Sequence, residues 1–302
     1  MSGAPFYAAS HIKRKRATKA EMAKRFDAIE AIVAEIQPCS VRQSFYQAVV
    51  RGLVDKQESE YDKVQQALVK LRRNGRVPYG WITDGTRWRI KPTTFSTIDE
   101  ALARTAQFYR KALWDNIDAH VEVWLEKDAL SGVVNQVTSE YDVGLHVARG
   151  FSSLTFLAES AEDIETIGKP SFIYHLGDHD PSGRQAGKNI EKDLRELAPN
   201  IEIHFERLGV TVTQIKSLSL PLRPTKKKDS RAKKFEAEFG VGSVELDAIH
   251  PDILRLIVRA AIERHLPRHQ LEILKVAEQS EREQLTMFAG EPRQIAKRRA
   301  NG

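Results

Sequence analysis

Between residues 18 and 73 the apolar positions recur at helical spacing. Met22, Phe26, Ile29, Ile32, Val33 and Ile36 fall on one stripe and predict an amphipathic helix over 18–37. Gln37-Pro38-Cys39-Ser40 stops it, and Ser40 is a good N-cap for a second helix over about 41–53. A third helix, over about 60–73, ends at the C-cap pair Asn74-Gly75. Residues 77–90 then favour β structure around Asp84-Gly85 and predict a short hairpin. Three helices and a hairpin rich in Arg and Lys predict an N-terminal winged helix-turn-helix, with the third helix in the DNA major groove.

After a linking helix over about 97–117 the pattern changes. Strand-like runs at His120–Glu126, Val143–Ala148, Ser171–Gly177 and Ile201–Leu208 alternate with helical segments near 128–140, 152–165 and 183–197. That alternation predicts an α/β domain with a mainly parallel sheet covered on both faces. A helical region over about 251–284 follows, and the last dozen residues are expected to be disordered. The chain thus divides into a basic arm and helix (1–37), a winged-helix domain (38–95), a linking helix (96–119), an α/β domain (120–266) and a C-terminal helix with a basic tail (267–302).

Composition narrows the function. One cysteine, Cys39, excludes an internal disulfide and a thiolate metal cage and fits a reducing compartment. No apolar run approaches the ~18–20 residues that span a bilayer, and no signal peptide opens the chain. The expectation is a cytoplasmic, nucleoid-associated protein without a membrane partner, nuclear if the source is a eukaryote. The net charge of +6 favours a polyanion, and double-stranded DNA is the leading partner. The charge is concentrated in Lys13, Arg14, Lys15 and Arg16, in Lys226, Lys227 and Lys228 within a Pro- and Ser-containing stretch, and in the tail at 293–299. With Lys70, Arg72 and Arg73 on the third helix, the first two clusters supply the candidate DNA contacts. Solvated charge runs are the competing explanation.

Two predicted strand ends carry acids. The first reads Leu125-Glu126-Lys127; the third runs Gly177-Asp178-His179-Asp180-Pro181-Ser182-Gly183. Sites in parallel α/β sheets form outside the carboxyl ends of the strands. If the two strands are neighbours, Glu126, Asp178 and Asp180 converge, and three hard oxygen donors suit magnesium. Alternation along the strand is expected to put Asp178 and Asp180 on one side. A plain N-cap followed by proline accounts equally well for Asp180 alone.

Strand-Glu-Lys followed by strand-Asp-x-Asp-Pro-x-Gly resembles the Toprim domain, a Rossmann-like fold of type II topoisomerases, bacterial primase and OLD-type nucleases. The form GDHDPSG is similar to that of topoisomerase VI A subunits and the meiotic double-strand-break transesterase, and Val244-Glu-Leu-Asp-Ala-Ile249 falls where that family has an acidic-apolar signature. The family joins Toprim to a winged helix bearing Arg-x-x-(Tyr/Phe)-Tyr, and Arg42-Gln43-Ser44-Phe45-Tyr46 stands in the corresponding place. The resemblance covers roughly residues 35 to 265. It implies Tyr46 as a nucleophile forming a 5′-phosphotyrosyl ester, Arg42 as its phosphate-holding partner, and Mg2+ (or Mn2+) on Glu126, Asp178 and Asp180. It also implies a homodimer in which one subunit's tyrosine works with the other's metal, and a separately encoded ATPase subunit for strand passage. The wing sequence ITDGTRW and the short chain are most like the standalone prokaryotic Mini-A type. Two other functions stay open: a Toprim nuclease that activates water, with Tyr46 structural, and a non-catalytic winged-helix DNA-binding protein of a mobile element. On periodicity alone Tyr46, in a stripe with Val49, Val50 and Leu53, is a core residue. Tyr61 and Tyr79 are weaker nucleophile candidates.

Overall fold

The computed structural model describes residues 18–83, 92–150, 152–225, 230–240 and 242–300. The chain opens with helices α1 (Lys19–Ile36), α2 (Val41–Val50) and α3 (Glu58–Arg73). Thr18 and Ser40 close capping boxes with Glu21 and Gln43, each hydroxyl accepting from a backbone N–H that the helix itself leaves unpaired. Helix α2 is shorter than expected, because Gly52 takes a left-handed φ of 66° just beyond it. Gly75 does the same after α3, at φ 73°.

The expected hairpin is only partly visible, since 84–91 lie outside the described residues. Its first arm is not a strand: Tyr79–Trp81 form a 3-10 turn, and Ile82 makes a single parallel bridge to Cys39. The linking helix also stops early, as α4 (Ile98–Phe108). The residues after it are drawn into other contacts: Trp114 Nε1 donates to Tyr141 O at 2.8 Å, and Lys169 Nζ to Trp114 O at 2.9 Å.

The α/β half follows as β1 (His120–Leu125), α5 (Ser131–Glu140), β2 (Gly144–Val147), α6 (Leu154–Ile167), β3 (Ser171–Leu176), α7 (Pro181–Leu197) and β4 (Ile203–Gly209). The four strands are all parallel in the order β2-β1-β3-β4. Burial on both faces explains why β1 and β3 read as nearly unbroken apolar runs. Val121, Val123, Leu125, Tyr174 and Leu176 face one cluster with residues of α5 and α10 (Pro251–Glu263), whereas Trp124 and Ile173 face a second with residues of α6 and α7. Buried Glu122 on that second face accepts from Trp124 Nε1 at 2.7 Å and Ser160 Oγ at 3.1 Å and meets His120 Nε2 at 3.0 Å, so its charge is fully engaged. The short helices α8 (Val212–Ser217) and α9 (Ala232–Phe239) lead from β4 toward α10.

Two helices close the chain, the second where a C-terminal helix is expected. Pro267 separates α10 from α11, which runs unbroken over Arg268–Ala300 and packs against α4. Tyr109 Oη donates to Glu281 at 2.6 Å, and Arg282 Nη2 to Tyr109 O at 2.9 Å. No helix among the described residues is long and apolar enough to cross a membrane.

The larger apolar cluster runs without a break from Ile29 and Ile36 of α1, through α2 and α3, to the sheet and Val258 of α10. Burial across that span couples the front helices to the sheet. Truncating fully buried Ile36 or Val258 to Ala is expected to cost about 1–5 kcal/mol each. Both variants should shift one shared thermal transition, read by calorimetry; two transitions moving separately would show that the halves are uncoupled.

Candidate functional site

Strands β1 and β3 are hydrogen-bonded neighbours, so their carboxyl ends lie side by side, with Leu125 opposite Leu176. Glu126 leaves β1 there; its N–H donates to Leu176 O at 2.9 Å, and its Oε2 accepts from Asp178 N–H at 3.0 Å. Two glycines make room for this carboxylate. A Cβ on Gly177 would stand 2.6 Å from Glu126 Oε2; one on Gly183 would stand 2.8 Å from it and 2.5 Å from Asp178 O. The glycines of the GDHDPSG run are therefore needed for close approach, which only a residue without a side chain permits.

The two aspartates diverge. β3 ends at Leu176, so strand alternation does not govern Asp178 and Asp180, and the expected common side is not what orients them. Asp178 Oδ1 accepts from Leu246 N–H at 2.8 Å, and its Oδ2 lies 3.1 Å from Lys127 Nζ. Asp180 is the N-cap of α7, its Oδ1 accepting from Gly183 N–H at 2.7 Å, with Pro181 at the first helical position. The plain capping role is thus real, and it leaves Asp180 near enough to bear electrostatically on Glu126. Behind these groups Arg207 of β4 donates from Nη2 to Gly177 O at 2.7 Å and to Asp178 O. Burial and neighbouring Arg184 push its guanidinium down to about 10, against the pull of the three acids.

Lys127 joins this region to a second set of acids. Its ammonium lies 2.6 Å from Asp247, 3.1 Å from Asp178 and 3.5 Å from Glu245. Burial opposes its charge, but those three carboxylates outweigh it and raise its pKa. Asp178 is nevertheless shifted upward, because its own burial outweighs Lys127. Glu126, buried and crowded by Asp178 and Asp180, is pushed up to about 7.

The second acid set reaches the front helices. Ser40 Oγ donates to Asp247 Oδ1 at 3.3 Å, and Glu245 lies beside the Tyr46 hydroxyl. Tyr46 is fully buried, its ring edge-to-face with Phe45 at 5.6 Å, and its hydroxyl has no hydrogen-bond partner of good geometry. Burial and then Glu245 raise its pKa, while Arg223 and Lys127 pull it down. Arg42 does not pair with Tyr46; its guanidinium stacks 4.3 Å over the Tyr61 ring. Burial opposes that charge too, yet Glu245, Tyr61 and Asp247 raise the pKa of Arg42. Tyr61 itself packs edge-on to Phe45. Tyr79 is exposed, with Arg72 stacked 4.8 Å over its ring. On α3, Lys70 and Arg73 are exposed and Arg72 half-buried. Lys13, Arg14, Lys15, Arg16, Lys226, Lys227 and Lys228 lie outside the described residues.

The donor chemistry of Glu126, Asp178 and Asp180 suits a hard divalent cation, and the glycine cradle leaves room for the Glu126 carboxylate beside the GDHDPSG turn. Among the described residues, no three His, Cys, Asp or Glu side chains stand ready around one point. Bringing the three acids onto one ion requires Asp178 to turn from Lys127. Three participants escaped the sequence reading. Arg207 lies on a strand with no motif around it. Arg223 was hidden in a basic run. Lys56 sits in a polar loop, its Nζ donating to Pro221 O at 2.8 Å.

The crowding of Glu126 has a thermodynamic consequence. A carboxyl whose folded pKa is raised stabilises the fold while protonated, and that contribution is lost as pH rises from about 4.5 through about 7. Glu126→Gln keeps the acceptor for Asp178 N–H without the charge. It should stabilise the metal-free protein at pH 8 by roughly 1–3 kcal/mol and leave stability unchanged below pH 4. Magnesium should raise the parent's melting temperature and not the variant's. Equal responses to the ion would remove Glu126 from any metal site.

Comparison with known proteins leaves the geometry to stand alone: no protein-family model matches the chain, and no curated protein matches it.

Proposed function

We propose that this chain binds duplex DNA and cleaves it as a magnesium-dependent tyrosine transesterase, related to the topoisomerase VI A subunit, with a winged-helix front and a Toprim-like α/β domain. The observation that supports the reading is the juxtaposition of Glu126 and Asp178 at adjoining strand ends, with Asp180 capping the next helix near enough to bear on Glu126, and Lys127 and Glu245 leading from them to the hydroxyl of Tyr46. The GDHDPSG run supplies both the acids and the glycines that let them approach. No other tyrosine of the front helices reaches this cluster among the described residues: Tyr61 packs on Phe45, and Tyr79 lies in solvent.

In the reaction, the Tyr46 oxygen attacks a backbone phosphorus. The Tyr46 Oη–P bond forms, the P–O3′ bond breaks, and the phenol proton leaves while the departing 3′ oxygen gains one. A phenol with a pKa above its ordinary value needs cationic help to attack near neutrality. Arg223 and Lys127 already lower that barrier electrostatically. Glu126, Asp178 and Asp180 would hold the magnesium ion, which when bound supplies charge stabilisation for the phosphate. Attack on a phosphate held by the partner subunit or on one held in the same chain is compatible with this chemistry, and the homodimer and ATPase partner belong to the same proposal.

One observation favours a second reading. Tyr46 is wholly inaccessible, so a nuclease in which the acids activate water and Tyr46 only packs needs no opening of the site. Supercoiled plasmid incubated with the protein and magnesium or manganese, stopped with detergent, separates the two. Protein-linked broken DNA that disappears in Tyr46→Phe supports the transesterase; broken DNA without linkage supports the nuclease. Asp178→Asn should abolish cleavage, by at least about 100-fold, and leave duplex binding intact. Undiminished cutting by that variant would remove the acids from the reaction.

A further inference from the structure

Glu245 is held as an anion would be if Tyr46 were to attack one. Its Oε1 is ion-paired with Arg223, and its Oε2 lies 3.5 Å from Lys127 Nζ. Two acceptor oxygens are thus divided between a guanidinium fork and an ammonium, as the two non-bridging oxygens of a phosphodiester would be. Arg42 bears on the same carboxylate from α2. Lys56 Nζ and Arg223 Cζ stand 5.5 and 5.7 Å from the Tyr46 ring centroid.

Beside this carboxylate the Tyr46 hydroxyl is buried, and Glu245 is the acceptor that bears on it. Buried hydroxyls nearly always find a partner, and the oxygen that faces this one is an anion's, held among cations where a phosphate oxygen would stand. The position is reachable without unfolding: the side chains of Glu245, Lys127 and Arg223 keep 20%, 23% and 34% of their exposure.

We propose that the Glu245 carboxylate occupies a phosphodiester seat formed by Arg223, Lys127 and Arg42 around the Tyr46 hydroxyl, and that a DNA backbone phosphate must displace it to bind there. The seat deepens the reading of Tyr46 as a nucleophile, and rests on that reading for its purpose. The alternative is an ion pair that merely braces the fold. In a brace both partners contribute in the same direction; in a seat the acid competes with the ligand and the cation attracts it.

Binding of a short duplex to the full chain, measured by fluorescence anisotropy without metal, distinguishes these. Glu245→Gln should tighten binding about tenfold at low salt, and Arg223→Gln should weaken it about tenfold. Opposite signs support the seat. Weaker binding by both variants, or no change with Glu245→Gln, overturns it. Should Glu245→Gln lose its fold, Glu245→Asp withdraws the charge by one methylene and should tighten binding to a smaller extent; unchanged binding again overturns the seat. A second measurement needs no DNA: inorganic phosphate should raise the melting temperature of Glu245→Gln more than that of the parent, and equal shifts overturn the seat. Phosphate protection without any duplex binding by the parent would keep the seat and remove the DNA reading. A protein–DNA adduct in the parent with no tightening in Glu245→Gln would keep the nucleophile and remove the seat.

Discussion

The ammonium of Lys127 is the charge on which the site depends. Three carboxylates from separate parts of the chain close on it: Asp178 from the end of β3, and Glu245 and Asp247 from the turn before α10. Each acid is at least largely removed from water, and uncompensated charges there would be costly enough to change protonation or drive the segments apart. Lys127, next in sequence to Glu126, therefore joins the backbone bridge between His179 and Val244 and the Leu246 N–H on Asp178 in fixing the 244–249 segment against the strand ends. That segment in turn meets α2, through Ser40 and the surroundings of Tyr46. Among the described residues the front helices meet the rest of the chain through a shared apolar cluster and through polar contacts such as Ser40–Asp247, Lys56–Pro221 and Arg255–Pro38.

Around that centre the chain accepts crowding that a purely structural design would avoid. Glu126 is pressed between two glycines and two like charges. Arg207 is buried deeply enough for its guanidinium to fall to about 10, yet its hydrogen bonds go to the carbonyls of Gly177, Asp178 and Gly183 and not to a carboxylate. It holds the backbone of the GDHDPSG turn in shape, and it leaves the acids' oxygens free of a guanidinium fork. Perturbed groups clustered at the carboxyl ends of a parallel sheet are the usual mark of a functional site, whereas buried Glu122 on the other sheet face, satisfied by Trp124, Ser160 and His120, has the full set of partners expected of a structural acid.

Most of the fold was legible because the signals are local. Alternating apolar runs located all four strands to within two residues, and the sharing of both faces followed from their continuity. Asp180-Pro181 announced a helix start, and α7 begins there. Errors arose where tertiary contacts decide. The linking helix ends at Phe108 because the following residues pair with α5, Lys169 and α11, none of which is near in sequence. Residues 79–81 favour β structure but form a 3-10 turn, and among the described residues Ile82 pairs with Cys39. Within the site, the neighbouring of Glu126 and Asp178 could be foreseen only conditionally on strand order. The roles of Arg223 and Glu245 could not be foreseen at all: an acid and a base 22 positions apart show no periodicity, and Arg223 is indistinguishable by composition from the lysines that follow it.

The burial of Tyr46 is less of an obstacle to chemistry than its zero exposure suggests. Its ring belongs to the apolar cluster with Phe45 and should stay there, since withdrawing an aromatic ring from a packed core is costly. Only the hydroxyl must meet a substrate, and what lies near it is not α2 but a strap. Arg223 and Ser243 pair as an isolated antiparallel bridge, Lys56 is tied to Pro221 O, and Arg223 and Lys127 hold Glu245. The two ion pairs are half-buried, their side chains keeping between 20% and 34% exposure, so a ligand that breaks them must replace the charges they bring together. Leu220 and Val244 of the strap belong to the core, so in the proposed reaction only the side chains of Glu245 and Arg223 would have to move. Ring and strap would then be complementary: the packed ring would fix the direction of attack, and displacement of Glu245 would decide when an electrophile is admitted.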